Sequence, residues 1–459
     1  MKLSSLTAIS PIDGRYGDRL ASLRSIFSEF SLIKKRVLVE IRWLEMLADC
    51  PDIEEVPALT TPARDYLNQI YDNFSLSDAE RVKAIEKTTN HDVKAVEYFL
   101  KEKIADNTEL VQIAEFIHFA CTSEDINNLA YALILKEAKE TLLLPTTKQV
   151  IKAIQELAVR FAAQPMLART HGQPATPTTI GKEMANFAAR LQRQYCQLQK
   201  VAIRGKFNGA VGNFNAHYAA YPEIDWFVLS RQFVNNLGIE WNAYSTQIEP
   251  HDYIAELFNV VSTFNSILID FNRDVWGYIS LGYFKQRMVE NEVGSSTMPH
   301  KINPIDFENA EGNLGLANAM MHFLSNQLLT SRWQRDLVDS TLMRTLGVAI
   351  AHTQLAYENS LKGINKLEIN PPVLEYELAQ AWEVLAEPIQ TIMRRYGIAE
   401  PYEKLKALTR GKTIDQDLLR EFVDKLALPE SVKEKLKQMS PRSYTGLAAK
   451  LASNVNKDE

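Results

Sequence analysis

The sequence predicts an all-α protein built from long packed helices, and three observations carry that expectation. Proline is absent between Pro62 and Pro145, between Pro177 and Pro222, between Pro250 and Pro299, and between Pro304 and Pro371. Proline breaks helix interiors, so these gaps leave room for long helices. Within them apolar residues recur at steps of three and four, which traces one face of a helix. No alternating strand pattern interleaved with helices is present, which disfavours a doubly wound sheet.

The first long element is expected over 124–163, kinked or divided at Pro145. A second is expected over 178–204. The third, 251–283, shows the pattern best: Ile254, Leu257, Phe258, Val261, Phe264, Ile267, Leu268, Phe271 and Val275 share a face. Its opposite face carries Val260, Ser262, Asn265 and Ile269, so it is apolar on more than one side and belongs among other helices. A fourth runs over 309–367. Beyond Pro371-Pro372 the helical pieces shorten, punctuated by Pro388, Pro401, Pro429 and Pro441. These elements divide the chain into a helical N-terminal domain (1–111), a central long-helix bundle (112–367) and a helical C-terminal domain (368–459). Apolar stripes left exposed on such helices invite oligomerisation.

Composition excludes more than it selects. The 459 residues are 46% hydrophobic and 24% charged, values of an ordinary globular protein that needs no disulfide or metal staple. A net charge of −6 gives no footprint for nucleic acid or an anionic membrane. The three cysteines, Cys50, Cys121 and Cys196, are widely spaced and form no CxxC pair. No signal peptide and no membrane span of about 18 apolar residues is expected, so the chain reads as soluble and cytoplasmic. HExxH, GxGxxG and P-loop patterns are all missing, and no Ala-Ser-Gly triplet occurs.

Candidate chemistry sits on islands between the helices. Arg169-Thr170-His171-Gly172-Gln173-Pro174 fixes a histidine among a glycine and prolines, which suits a positioned proton donor and equally a loop tie. Gly294-Ser295-Ser296-Thr297-Met298-Pro299-His300-Lys301-Ile302-Asn303-Pro304 is rich in small hydroxyl residues. It suits a mobile loop over 291–299 that closes on substrate, or a plain surface connection. Lys301 and Asn303 could hold an anion there, and Ser295 or Ser296 could act as nucleophile or base. Asn90, His91 and Asp92 precede one helical run, and His118, Thr122 and Ser123 precede another. Asn90 or Asp92 could simply cap the first; at the second, backbone N–H groups could bind a carboxylate or phosphate, with ordinary capping as the alternative. Arg335, Ser340 and Arg344 lie in a stretch read as helical, with Ser340 and Arg344 one turn apart; the set suits a phosphate or a solvated face.

Together these islands resemble the fumarase/aspartase superfamily, whose shared GSSxMPxKxNP segment is matched at 294–304. Within it the chain is similar to the adenylosuccinate lyase family of the longer bacterial type. The similarity runs from Ser10-Pro11-Ile12-Asp13-Gly14-Arg15-Tyr16 to beyond Tyr402-Glu403-Lys404-Leu405. His300, Thr170-His171-Gly172-Gln173 and Arg332-Trp333-Gln334-Arg335 fit the nucleotide branch. The resemblance implies elimination of fumarate from a succinylated purine nucleotide, with no metal and no organic cofactor. It implies His171 as acid and Ser295 as base, with Lys301 and Asn303 stabilising an aci-carboxylate. Thr122, Ser123, Gln247 and Ser296 would contact the substrate, as would Asn90, His91 and Asp92, with His118 in support. Arg15, Tyr16, Asn309, Arg335, Ser340 and Arg344 would hold the nucleotide phosphate. The resemblance also implies a homotetramer whose active sites are shared between subunits. Sister enzymes such as argininosuccinate lyase, fumarase and aspartase share the serine loop without the phosphate set.

Overall fold

The computed structural model describes residues 2–288, 297–298, 301–409 and 414–455. The chain is all-α apart from small two-stranded pairings. Its longer helices are α1 (Glu29–Ala48), α2 (Thr61–Asp72), α3 (Leu76–Thr89), α4 (Asp92–Ile104), α5 (Ser123–Ala138), α6 (Leu144–Arg160), α7 (Ile180–Lys200), α8 (Asp252–Ser280), α9 (Ile305–Gln327) and α10 (Leu346–Asn365). Helix starts follow local chemistry. Ser28 caps α1 by accepting from the Ser31 amide at 3.2 Å, and Ser75 and Asp78 form a reciprocal capping box on α3.

The first long element continues through Pro145 rather than breaking there. Between α5 and α6 the chain takes one wide π-helical turn, Lys139–Leu143. Pro145 follows just after this turn, and the local π-helical widening is how an otherwise continuous helix accommodates a residue without an N–H. The 309–367 stretch departs further from expectation. Helix α9 ends at Gln327, an irregular segment follows, a short helix spans Val338–Met343, and α10 begins at Leu346. Side chains replace the helical bonds here. Asp336 accepts from the amides of Arg332 (3.2 Å) and Val338 (2.9 Å), and Ser331 accepts from the Asp336 amide at 3.2 Å. Trp333 takes a left-handed φ of 52°. Arg335 therefore lies outside any helix, Ser340 lies in the short helix, and Arg344 lies at its C-terminal end.

Helix α8 contains an 18-residue window of mean hydropathy 1.3, long and apolar enough to cross a bilayer by length and composition alone, a test that the core helix of a folded protein also passes. Of that window 61% is buried by the rest of the chain, and Ile254, Leu257, Phe258, Val261, Leu268 and Phe271 are all core residues.

By contacts the chain forms two compact units, which cut across chain order. Unit 1 comprises 1–146, 195–265 and 313–356; unit 2 comprises 147–194, 266–312 and 357–459. In unit 1, α1 supplies Ile33, Val37, Leu44 and Leu47 to the core. Trp43 packs against Phe207 and Phe233 at ring separations of 4.3 and 5.1 Å. Unit 2 holds a β-hairpin, β1 (Pro165–Thr170) and β2 (Gln173–Thr179), paired antiparallel. Its later short helices share a core of Leu385, Ile389, Met393, Leu419 and Val423.

Candidate active site

In unit 1 the candidate residues gather around the start of α5. Thr122 is its N-cap and Ser123 its first residue, and the Thr122 amide donates to Asp125 Oδ2 at 2.8 Å. His91 caps α4, with Nδ1 accepting from the Lys94 amide at 3.2 Å. A neutral His91 then carries its proton on Nε2, which points at Ser123 Oγ from 3.4 Å. The sequence offers Asn90 or Asp92 as the cap of this helix; the cap is His91 instead, and capping is what aims its ring. Asn90 ends α3 in the left-handed region at φ 52°.

Asp92 connects this corner to the arginine–serine pair. Arg36 NH2 reaches Asp92 Oδ2 at 2.6 Å, while Arg36 Nε donates to Asn127 Oδ1 at 2.8 Å. Burial works to raise the Asp92 pKa, but the Arg36 charge and the Val93 amide outweigh it and hold the carboxyl below its ordinary range. Arg344 NH2 lies 3.9 Å from the same carboxylate oxygen. Arg344 NH1 meanwhile donates to Ser340 O at 2.6 Å and to Ser340 Oγ at 2.9 Å. Arg335 NH1 pairs with Glu124 at 2.9 Å, and Glu124 also accepts from Asn127 at 2.9 Å. Gln247 joins the group from another loop: its amide donates to Gln334 O at 3.3 Å and its Nε2 to Ala210 O at 3.0 Å. A cavity of about 220 Å³ is lined by Ile12, Asp13, Arg24, Ser28 and Arg344, which sets the N-terminal turn beside Arg344. Arg15 is exposed, and the Tyr16 amide donates to Pro11 O at 2.9 Å.

His118 sits at a left-handed φ of 63°, with Nδ1 2.6 Å from Glu40 Oε1. Burial alone would lower its pKa, but the fully buried Glu40 carboxylate outweighs that and raises it.

Unit 2 carries the remaining candidates. His171 and Gly172 form the two-residue tip of the β1–β2 hairpin, both with positive φ (53° and 76°). That is the backbone of a type I′ turn, which the Gly favours. His171 is exposed there. Two residues before the tip, Arg169 NH2 donates to Glu377 at 2.8 Å and to Tyr283 at 3.3 Å, which ties down this end of the hairpin. Lys301 is exposed, and its amide donates to Met298 O at 3.0 Å. Asn303 is half-buried just ahead of α9, and Gln286 anchors the neighbouring Ile302 carbonyl. Asn309 lies on α9 and accepts from Asn359. Ser295, Ser296 and His300 lie outside the described residues, and so does most of the expected mobile loop over 291–299.

Sequence reasoning missed Arg36, Glu40, Glu124 and Asn127. A signal existed for the first two: they occupy positions in the buried stripe of α1 between Ile33, Val37 and Leu44. A charge inside an apolar stripe needs a partner.

Comparison with known proteins agrees with this architecture. A family profile described as lyase matches residues 14–320, and a second, described as adenylosuccinate lyase C-terminal, matches 331–445. The adenylosuccinate lyase of Escherichia coli K12 is 61% identical over 455 residues, covering 99% of this chain and all of that one. That of Vibrio cholerae is 60% identical over 456 residues, with the same coverage. A solved fumarate lyase from Mesorhizobium sp. BNC1 superposes with a TM-score of 0.77 at 17% identity, covering 96% of this chain and 98% of its own, which speaks for the fold. The chain belongs to the adenylosuccinate lyase family, within the fumarase/aspartase superfamily.

Proposed function

We propose that the chain is a C–N lyase that eliminates fumarate from adenylosuccinate, giving AMP. It does the same to succinyl-aminoimidazole-carboxamide ribotide, giving the free carboxamide. The observation that carries this reading within the family is the joining of two kinds of donor in unit 1. Hydroxyls and amides at the α5 start suit a carboxylate, and Arg344 folded onto Ser340 suits a phosphate.

The proton to be removed lies next to a carboxylate and is very weakly acidic. A base withdraws it, and the electron pair moves into the carboxylate as an aci-carboxylate. The C–N bond then breaks as the departing nitrogen takes a proton, leaving fumarate and the amine. Ser295 is the proposed base and His171 the proposed acid. Lys301 and Asn303 stabilise the carbanion's charge, which is the largest contribution such a site makes. Thr122, Ser123, Gln247 and Ser296 hold the succinyl carboxylates. Asn90, His91 and Asp92 line the substrate, and His118 supports them through Glu40. Arg15, Tyr16, Asn309, Arg335, Ser340 and Arg344 hold the phosphate.

The assembly is proposed to be a soluble, cytoplasmic homotetramer with sites shared between subunits. Exposed apolar side chains on the long helices, Trp276, Leu316 and Phe323, support association. The test is absorbance-monitored fumarate release from adenylosuccinate by the purified protein, without added metal. Argininosuccinate, malate and aspartate run beside it. Turnover of one of those three in place of adenylosuccinate refutes the assignment.

A further inference from the structure

We propose that Asp125 and Lys206 are positioning residues that hold the carboxylate-binding groups Thr122, Ser123 and Gln247 in one fixed arrangement. The inference rests on the functional reading above.

Both side chains are fully buried, and Lys206 Nζ lies 2.9 Å from Asp125 Oδ1. The Asp125 carboxylate collects donors from two separate segments. Besides the Thr122 amide, it accepts from the Asn208 amide at 3.0 Å and from the Gly209 amide at 3.1 Å. Lys206 Nζ also donates to Gly209 O at 3.0 Å, closing the loop onto itself. The Lys206 backbone is pinned to α5 as well: its amide donates to Asn128 Oδ1 at 2.8 Å, and its carbonyl accepts from Asn128 Nδ2 at 2.9 Å.

From this loop the bonds continue to Gln247. Asn208 Nδ2 donates to Ser245 Oγ at 2.7 Å, and Ala210 O accepts from Gln247 Nε2 at 3.0 Å. Gly212 completes the approach: a Cβ there would fall 2.4 Å from Ser245 O. A continuous set of bonds thus runs from the α5 N-cap through the buried Asp125–Lys206 pair to the Gln247 side chain at the surface.

Capping α5 does not require this arrangement. A neutral Ser or Asn caps a helix without the desolvation cost of a buried carboxylate and ammonium. A carboxylate offers two oxygens and about four acceptor directions, against the single oxygen of a neutral cap, and so can gather donors from two segments at once. Lys206 cancels its charge, so the ligand's own carboxylates meet no uncompensated negative group one turn away. Preorganised donors of this kind lose efficacy when displaced by even ~1 Å, at a cost of roughly a hundredfold.

The test compares wild type with Asp125→Asn, Lys206→Met and the double variant, as full-length protein. Inhibition by the two products is measured separately, because fumarate reports on the carboxylate groups and AMP on the nucleotide groups. Each single variant should weaken fumarate inhibition by about tenfold or more and lower kcat/KM by about 10- to 100-fold. AMP inhibition should stay within about twofold. The double variant leaves no lone buried charge, so its melting temperature should recover relative to the singles. Its fumarate inhibition should not recover. Should the charge variants fail to fold, Asn208→Ala cuts the link to Ser245 without touching either charge. It should weaken fumarate inhibition by about threefold or more. Fumarate and AMP constants that move together, or fumarate affinity that returns with stability in the double variant, overturn the proposal. So does an Asn208→Ala protein with unchanged fumarate inhibition. A wild type that neither turns over adenylosuccinate nor binds fumarate or AMP refutes the functional reading itself.

Discussion

Ser123 and His171 are both proposed to meet the substrate, yet the chain supports them in opposite ways. Ser123 opens a helix whose first turn is bonded to buried charges on neighbouring segments. His171 occupies the exposed tip of a two-residue turn, and the charged contact nearest it, Arg169 with Glu377, is made two residues earlier on the strand and leaves the ring itself in the open. The contrast separates two physical jobs. Groups that recognise carboxylate and phosphate gain from rigidity, because every misplaced donor loses binding and transition-state energy together. A proton donor needs reach and a fixed backbone direction, which a type I′ turn provides without burying the ring.

This comparison can be tested at four points, beginning with the largest effect. Arg36→Ala leaves Asp92 without its buried partner. Since Arg36 is 2% exposed and Asp92 26%, a loss of about 3 kcal/mol in unfolding free energy is expected, at the low end for a broken buried pair. Denaturant unfolding measures it; a change below about 1 kcal/mol would show that the unit 1 network is not held by that pair.

The aromatic box behind the α5 corner gives the next effect. His217 is fully buried against Trp43, Phe207 and Trp226, and neither ring nitrogen has a hydrogen-bond partner among the described residues. Burial pushes its pKa down to about 4. The unfolded value is near 6.5, so the unfolded chain binds the proton more readily. The stability it confers is fully present above about pH 6.5 and is lost as pH falls toward 4, about 3 kcal/mol in all. Thermal melts across that range should show His217→Phe losing less stability than wild type.

His171→Asn comes third. Asparagine tolerates the left-handed φ but cannot deliver the proton. Turnover should fall by at least about a hundredfold while unfolding free energy changes by less than about 0.5 kcal/mol. Near-normal turnover would remove His171 from its proposed role. The smallest effect is that of Arg344→Ala, which should raise KM about tenfold with little change in kcat, as expected for a charged contact made equally in ground and transition states. Steady-state kinetics distinguishes this from a kcat effect.

Much of this was legible beforehand, for identifiable reasons. The long helices announced themselves through proline gaps and a 3.6-residue period, and α7 and α8 lie within a few residues of expectation. The break after Gln327 was not legible. It contains neither proline nor glycine, and it depends on Ser331 and Asp336 taking over backbone bonds. The hairpin at His171 was read only as an ordered loop, because two prolines in β2 hide its strand character. Asn90, His91 and Asp92 were visible as a capping motif, whereas the Arg36–Asp92 pair joins residues 56 positions apart and no local pattern reveals it.

The sequence by itself determined the helical class, the short motifs and the family, because periodicity and motif spacing are local properties of the chain. The tertiary structure decided which segments gather at the α5 start and in which direction burial and neighbours shift a histidine's proton affinity. Burial and a neighbour's charge set that direction, and both come from distant segments. His118, raised by Glu40, and His217, lowered in its aromatic box, are the same residue type in one unit with opposite shifts.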